Sequence, residues 1–461
     1  MARLRIGAKR AGAGLSALLA SVIWGVVLAT PAPGEDFSLE RSAAEIEAWL
    51  GRAGAEVGHF MATREDPLPD DGCIACHTDA GALIGMVVPP EAPPEDGCAA
   101  APSRPPFLGF FVNPEFPAST HGELGCIACH GGDGTATEAE IAHAGLRPGT
   151  EGCADCHGKI VERHETSLHH TLNGMRHALE LRAGEMRMQA LSTPWQADCA
   201  TCHTTCSDCH LSLPAAVGGG LIKGHEFMKR APMEDSCALC HGSRAGAEYL
   251  GNNPGVGPDV HFEEGMHCLD CHKNDLHGDG TLYTNRWEVA GRAACTDCHP
   301  ALPRAAKDEP EPDYMDFPVH SEVHADVACQ VCHATPYQAC FDCHTGEEDG
   351  EYFRRAGDKR LVLKFGRNTV PGYPYGIVTL RNNPVARDSF DHFGQNLLPG
   401  FDDEPTWKTA APHNIQRITG QNVSCFNCHD DPTLFLTEED LDRRGPAANT
   451  RALFDPPAPD Q

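Results

Sequence analysis

Eleven copies of Cys-x-x-Cys-His run through the chain. Their cysteine pairs are Cys73 and Cys76, Cys126 and Cys129, Cys153 and Cys156, Cys199 and Cys202, Cys206 and Cys209, Cys237 and Cys240, Cys268 and Cys271, Cys295 and Cys298, Cys329 and Cys332, Cys340 and Cys343, and Cys425 and Cys428. The histidines that close them are His77, His130, His157, His203, His210, His241, His272, His299, His333, His344 and His429. Two thiols three positions apart reach both vinyl groups of one porphyrin, and the next residue falls beneath the iron as proximal ligand. The implied cofactor is covalently attached haem c, eleven groups in all. Zinc ribbons, redox pairs and disulfides place no demand on the residue after the second cysteine, yet it is histidine every time. Of 23 cysteines, 22 lie in motifs and Cys98 is left over, read as a buried thiol or an intermolecular bridge.

Whether each iron carries electrons or binds substrate depends on its sixth ligand. The chain has 26 histidines, so fifteen remain after the proximal set, enough for bis-histidine ligation throughout. The candidate distal ligands are His59, His121, His143, His169, His225, His261, His277, His320, His324, His392 and His413. His121 and His324 each precede a motif by five residues, His261 precedes Cys268 by seven, and His59 is the spare histidine before the first motif. Among His164, His169, His170 and His177 the first choice is His169 and the second His170. His164, His170, His177, His267 and His392 carry the alternative of an ordinary surface or hydrogen-bonded histidine. No methionine stands in an obvious ligand setting.

The elements that must hold these groups are sparse. The chain has 461 residues with 47 Gly, 36 Pro and few aromatics, too little for an ordinary core around so many porphyrins. The expected fold is mainly short α-helices and coil wrapped round a covalent haem array, with little β-structure and a small hairpin near 360–381. The organisation read from motif density is a signal peptide or N-terminal anchor at 1–29, a one-haem region at 30–115, a dense nine-haem array at 116–345, and a one-haem region with a disordered tail at 346–461. Within the array, Ile160 to Ala183 reads as the longest helix, with Leu168, Leu172, Met175 and Leu179 at helical spacing. Thr204 and Thr205 alone separate two motifs, which forces their porphyrins into near contact.

The basic N-terminus (Arg3, Arg5, Lys9, Arg10) and the uncharged run after it predict export, to a periplasmic or other extracytoplasmic site, with the segment cleaved or kept as an anchor. The formal net charge of −29 excludes nucleic acid as a partner. Expected partners are redox proteins, among them a membrane quinol-linked donor, with membrane contact only through an uncleaved N-terminus and scope for self-association. One segment, 352–400, is basic: Arg354, Arg355, Lys359, Arg360, Lys364, Arg367, Arg381 and Arg387 face three acids. It reads as a docking surface, an anion site, or cations paired with carboxylates and propionates of the same molecule.

With these motifs in place, residues 119 to 430 resemble the bacterial multihaem c-type cytochromes with paired motifs, loosely akin to the octahaem tetrathionate-reductase and hydroxylamine-oxidoreductase group. The resemblance rests on His121 with Cys126-Ile-Ala-Cys-His130-Gly-Gly, Ser167-Leu-His169, the double motif from Cys199, Gly218-Gly-Gly-Leu with Gly224-His225, Cys240-His241-Gly-Ser-Arg244, Leu276-His277-Gly-Asp-Gly280, and Trp407 with Pro412-His413-Asn-Ile-Gln416. It implies electron transfer. No motif ends in lysine, so the reductase chemistry of some of those relatives is not carried across. The functional expectation is a relay between a membrane-linked donor and a terminal acceptor. The alternatives are a reductase of a small nitrogen or sulfur oxyanion at one five-coordinate haem, and a subunit of a polymeric wire.

Overall fold

The computed structural model describes residues 70–87, 105–147, 151–200, 203–214, 217–253, 255–273, 276–299, 324–335, 346–348, 351–353, 363–383 and 385–455. The N-terminal segment, His59, Cys98, Cys202, His320, the motif of Cys340, Cys343 and His344, the cations from Arg354 to Arg360, and the last residues of the tail lie outside them, as does the side chain of His392.

The recurrent element is a single helical turn made by the motif itself. Positions three and four apart share a helix face, so one turn sends both thiols and the imidazole the same way. Helices Cys126–His130, Cys206–His210, Cys329–His333 and Cys425–His429 begin on the first cysteine and end on the histidine. So short a helix needs a cap, because its first amides have no partner inside the turn. In three motifs whose third residue is aspartate, its carboxylate accepts the N–H of the residue before the first cysteine: Asp208 from Thr205 at 2.7 Å, Asp270 from His267 at 2.7 Å and Asp297 from Ala294 at 2.9 Å. In Cys425–His429 the cap is Ser424, whose hydroxyl accepts from Asn427 N–H.

The run expected as one helix from Ile160 to Ala183 is broken into pieces, Glu151–His164, Leu168–Thr171 and Asn173–Ala183. Ser167 caps the middle piece by accepting from His170 N–H, and Leu172 then takes φ 54°, a left-handed stop. The apolar spacing is helical on both sides, but the capping chemistry interrupts it.

Among the described residues five short strands follow: β1 (Gly346–Glu348), β2 (Glu351–Phe353), β3 (Lys364–Arg367), β4 (Ile377–Asn382) and β5 (Trp407–Thr409). β1 pairs with β2, and β3, β4 and β5 make an antiparallel sheet with Phe365 opposite Thr379 and Arg381 opposite Lys408. The predicted hairpin is β3 with β4. β5 was not anticipated, since three residues are too few to show an alternating pattern. The architecture is therefore short helices and coil with little sheet, as the composition required.

Two compact units can be distinguished, residues 1–161 with 204–240 and residues 162–203 with 241–461. The first holds two small apolar clusters, one of Ala80, Leu83, Val87 and Phe111 and one of Leu213, Ile222 and Met228. The second has a larger core, in which Phe365, Val378, Leu380, Trp407 and Leu436 pack with Ala328, Val331 and Ala334 around the motif helix Cys329–His333. Among the described residues no helix is long and apolar enough to cross a membrane.

Candidate haem-binding sites

Seven motif histidines each face a second imidazole among the described residues. In the first unit the ring centroids of His77 and His143 are 6.1 Å apart, those of His130 and His225 5.8 Å, and those of His157 and His121 6.3 Å. In the second the separations are 6.2 Å for His241 and His169, 6.4 Å for His272 and His413, 6.3 Å for His299 and His261, and 6.1 Å for His429 and His324. Metal–imidazole bonds of ~2 Å on opposite sides of one ion place two ring centroids about 6 Å apart. The spacing thus fits an iron between each pair. The Nδ1 atoms of His225 and His324 are buried with no hydrogen-bond partner.

Seven of the sequence candidates are thereby set against a motif histidine: His121, His143, His169, His225, His261, His324 and His413. Nearness in sequence does not tell which one. His121 faces His157 and not His130, His324 faces His429 and not His333, and His261 faces His299 and not His272. His170 takes another place. Its carbonyl oxygen lies 2.6 Å from His203 Nδ1, and the two rings are 4.6 Å apart, closer than the opposed pairs. His277 neighbours His164, which also stands near His169, His170 and His203. His267 caps its motif helix, Nδ1 accepting from Leu269 N–H at 3.1 Å, which is the structural role weighed for it.

The rings are aimed by their other nitrogen. Nδ1 of His77, His210, His333 and His413 lies 2.9, 2.6, 3.0 and 2.9 Å from the carbonyl oxygens of Phe110, Met228, Gln416 and Ala411. A carbonyl only accepts, so each Nδ1 carries the proton and Nε2 keeps its lone pair for a metal. Aromatic packing adds to this in the first unit, where Phe227 stacks on His121 at 4.1 Å and Phe116 tilts against His225 at 4.3 Å. His225 itself sits at φ 75°, next to Gly224 at φ 57°, where an added Cβ would meet Asn113 N at 3.0 Å. Burial, with neighbouring imidazoles adding to it, lowers the pKa of His164, His225 and His413 to about 4. These rings are neutral at physiological pH, the form that ligates iron.

In the second unit one segment, Pro412 to Gln416, serves three of the motif sites. His413 faces His272; Gln416 supplies the carbonyl for His333; and Ile415 N–H donates to Asp259, which in turn bonds His261. The segment is fixed by Glu248, 1% exposed, which accepts from His413 N–H at 2.7 Å and from Arg381 at 2.9 Å, and by Asn414, which donates to the Glu248 and Gly257 carbonyls. Asp259 and Glu248 were missed from sequence. Two buried acids in a strongly acidic chain give no signal until their partners are known.

Motifs also meet one another. The Cys73 and Cys126 thiols are hydrogen-bonded, and with Asp70 their ligand atoms lie within 4.8 Å of one another. Since both sulfurs belong to motifs, this is a contact between two attachment sites. Cys153 and Cys206 touch in the same way, as do Cys295 and Cys329, while Cys129 lies within electrostatic reach of Cys153, Cys271 of Cys298, and Cys428 of Cys332. The motifs therefore run as 73, 126, 153, 206 in the first unit and 268, 295, 329, 425 in the second.

Of the basic segment, Lys364 pairs with Asp440 at 2.6 Å, Arg381 with Glu248 at 2.9 Å and Arg387 with Asp402 at 2.6 Å, and Arg367 lies over the Phe454 ring at 5.7 Å. Three of its four described cations thus pair with carboxylates of the same molecule, and Arg367 rests on an aromatic ring.

Residues 260–345 match the family model described as cytochrome c3. A protein of Archaeoglobus fulgidus described as uncharacterized is 31% identical over 74 residues, which cover 14% of this chain and 25% of that one. The chain thus spans about a quarter of that relative's length. No solved structure matches. The repeated motif, the opposed imidazoles and the match over 260–345 together support a multihaem cytochrome with covalently bound haem c.

Proposed function

We propose that the chain is an undecahaem cytochrome that relays electrons outside the cytoplasm, from a membrane quinol-linked donor to a terminal acceptor. The observation that carries this reading is the set of opposed imidazoles: an iron held by both histidines of a pair would have no open position, and such a site would exchange electrons and bind no substrate. The bound haems would supply one-electron oxidation and reduction. The chain's own contribution is position. Each motif turn presents two thiols and an imidazole on one face; the carbonyls of Phe110, Met228, Gln416 and Ala411 fix ring orientation. The contacts Cys73 with Cys126, Cys153 with Cys206 and Cys295 with Cys329 keep successive attachment sites adjacent, as a conducting series needs.

Carbon monoxide added to the fully reduced protein tests the proposal, with haem counted by pyridine haemochrome. The expected result is eleven haems and no rapid carbon monoxide binding. One haem per molecule binding rapidly would overturn the relay in favour of a reductase with an open iron. The same assay on His143→Ala and His413→Ala should create one such haem in each variant.

A further inference from the structure

Asp259 is 1% exposed and caps the short helix Val260–Glu263. Both of its carboxylate oxygens accept hydrogen bonds within the molecule. Oδ1 accepts from His261 N–H at 2.7 Å and lies 2.8 Å from His261 Nδ1, while Oδ2 accepts from Ile415 N–H at 2.6 Å. Burying a carboxylate is costly unless its charge is balanced. Among the described ion pairs its partner is the imidazole of His261. A carboxylate only accepts, so the proton is on Nδ1 and Nε2 is free to face His299 across 6.3 Å.

This differs in kind from the rings oriented by main-chain carbonyls. A carbonyl offers a partial charge, whereas Asp259 offers a full one. An imidazole that donates to a carboxylate is a stronger electron donor to its metal, and a buried negative charge beside the site favours the more positive oxidation state.

We infer that Asp259 is a positioning residue that holds the iron between His261 and His299 at a lower potential than its neighbours in the second unit. The inference rests on the axial-ligand reading above. Its place gives it a consequence, because Cys298 neighbours Cys271 and Cys295 touches Cys329, so this site lies between the motifs of Cys268 and Cys329. Bound haems would exchange one electron at a time, one site oxidised as the next is reduced, while the proton shared by Asp259 and His261 stays on Nδ1. A low-potential member in that position is an uphill step. It holds charge only briefly and divides the series into a segment before it and a segment after it.

The experiment uses the full-length holoprotein, titrated potentiometrically with the low-spin ferric signals followed by electron paramagnetic resonance. His261→Ala comes first and tests the ligand reading alone: one haem per molecule should lose its low-spin signal and bind carbon monoxide. If none does, the ligation is wrong and the inference falls with it. If one does, the signal lost must be one that is reduced late in the wild-type titration; loss of an early-reduced signal overturns the inference while leaving the ligation intact. Asp259→Asn should keep eleven haems low-spin and carbon monoxide-unreactive, and shift the ferrous to ferric ratio of one of them at least tenfold toward ferrous, ~59 mV for one electron. Asp259→Ser, which keeps a helix-capping acceptor without the charge, should give the same shift, and Asp259→Glu should restore most of the wild-type curve. An unchanged titration in both neutral variants would make Asp259 a cap and nothing more.

Discussion

The two units hold their paired imidazoles by different means. In the first, the rings of His121 and His225 are packed by Phe227 and Phe116, and the apolar clusters behind them are a few residues each. In the second, a three-stranded sheet with its own core supports a buried polar network, and Glu248, Asp259 and Asn414 fix the segment that carries His413. A protein core lets ligands be placed by side-chain charge. Where the core is thin, aromatic contact takes that part, while main-chain carbonyls orient rings in both units.

The largest effect is expected at Glu248. Glu248→Ala leaves the Arg381 guanidinium buried without this carboxylate and His413 N–H without its acceptor. Removing one partner of a buried ion pair costs about 3–5 kcal/mol. The loss should appear as faster hydrogen exchange in peptides spanning 377–382 and 407–416, with peptides around Phe116 and Phe227 unchanged. Equal acceleration in both sets would mean that the units do not differ in the way described.

Next in size is a pair of cavity mutations. Leu380, 0% exposed, lies in the large cluster around the sheet, and Leu83, 3% exposed, lies in a cluster of four buried residues. Leu→Ala changes in cores cost about 2–5 kcal/mol, the larger values where surroundings cannot collapse. Leu380→Ala is expected near the top of that range and Leu83→Ala near the bottom, measured by urea unfolding with haem absorption as the probe. A reversed order would argue that the small cluster is the stiffer one.

These differences explain what could be read from the chain and what could not. The cofactor and its eleven attachment points follow from a spacing that a porphyrin imposes, and short helices with little sheet follow from a composition unable to build a large core. His143, His225 and His413 were recognisable as candidates because they sit in Gly- or Pro-flanked loops. Their partners were not recognisable, because an imidazole is paired across space with a motif up to about 141 residues away, as His272 is with His413. The break at Leu172 was hidden because the apolar spacing persists through it, and only the Ser167 cap marks the turn. Asp259 and Glu248 were hidden for a related reason: charge has a role only in relation to what it touches.

The smallest effect concerns what the units share. Asp208 in the first and Asp270 in the second occupy the same motif position and make the same 2.7 Å bond to the amide before the first cysteine. Losing a cap of this kind costs about 0.5–2 kcal/mol. Asp208→Ala and Asp270→Ala should therefore destabilise their motif turns by similar amounts, despite the unequal cores behind them, because the bond is local to four residues. Hydrogen exchange of the Thr205 and His267 amides reads each loss directly, since these are the donors released. If Asp270→Ala proved much costlier, the cap would be tied to the polar network that serves His261 and His413. The line between local motif chemistry and core-supported placement would then fall inside the motif itself.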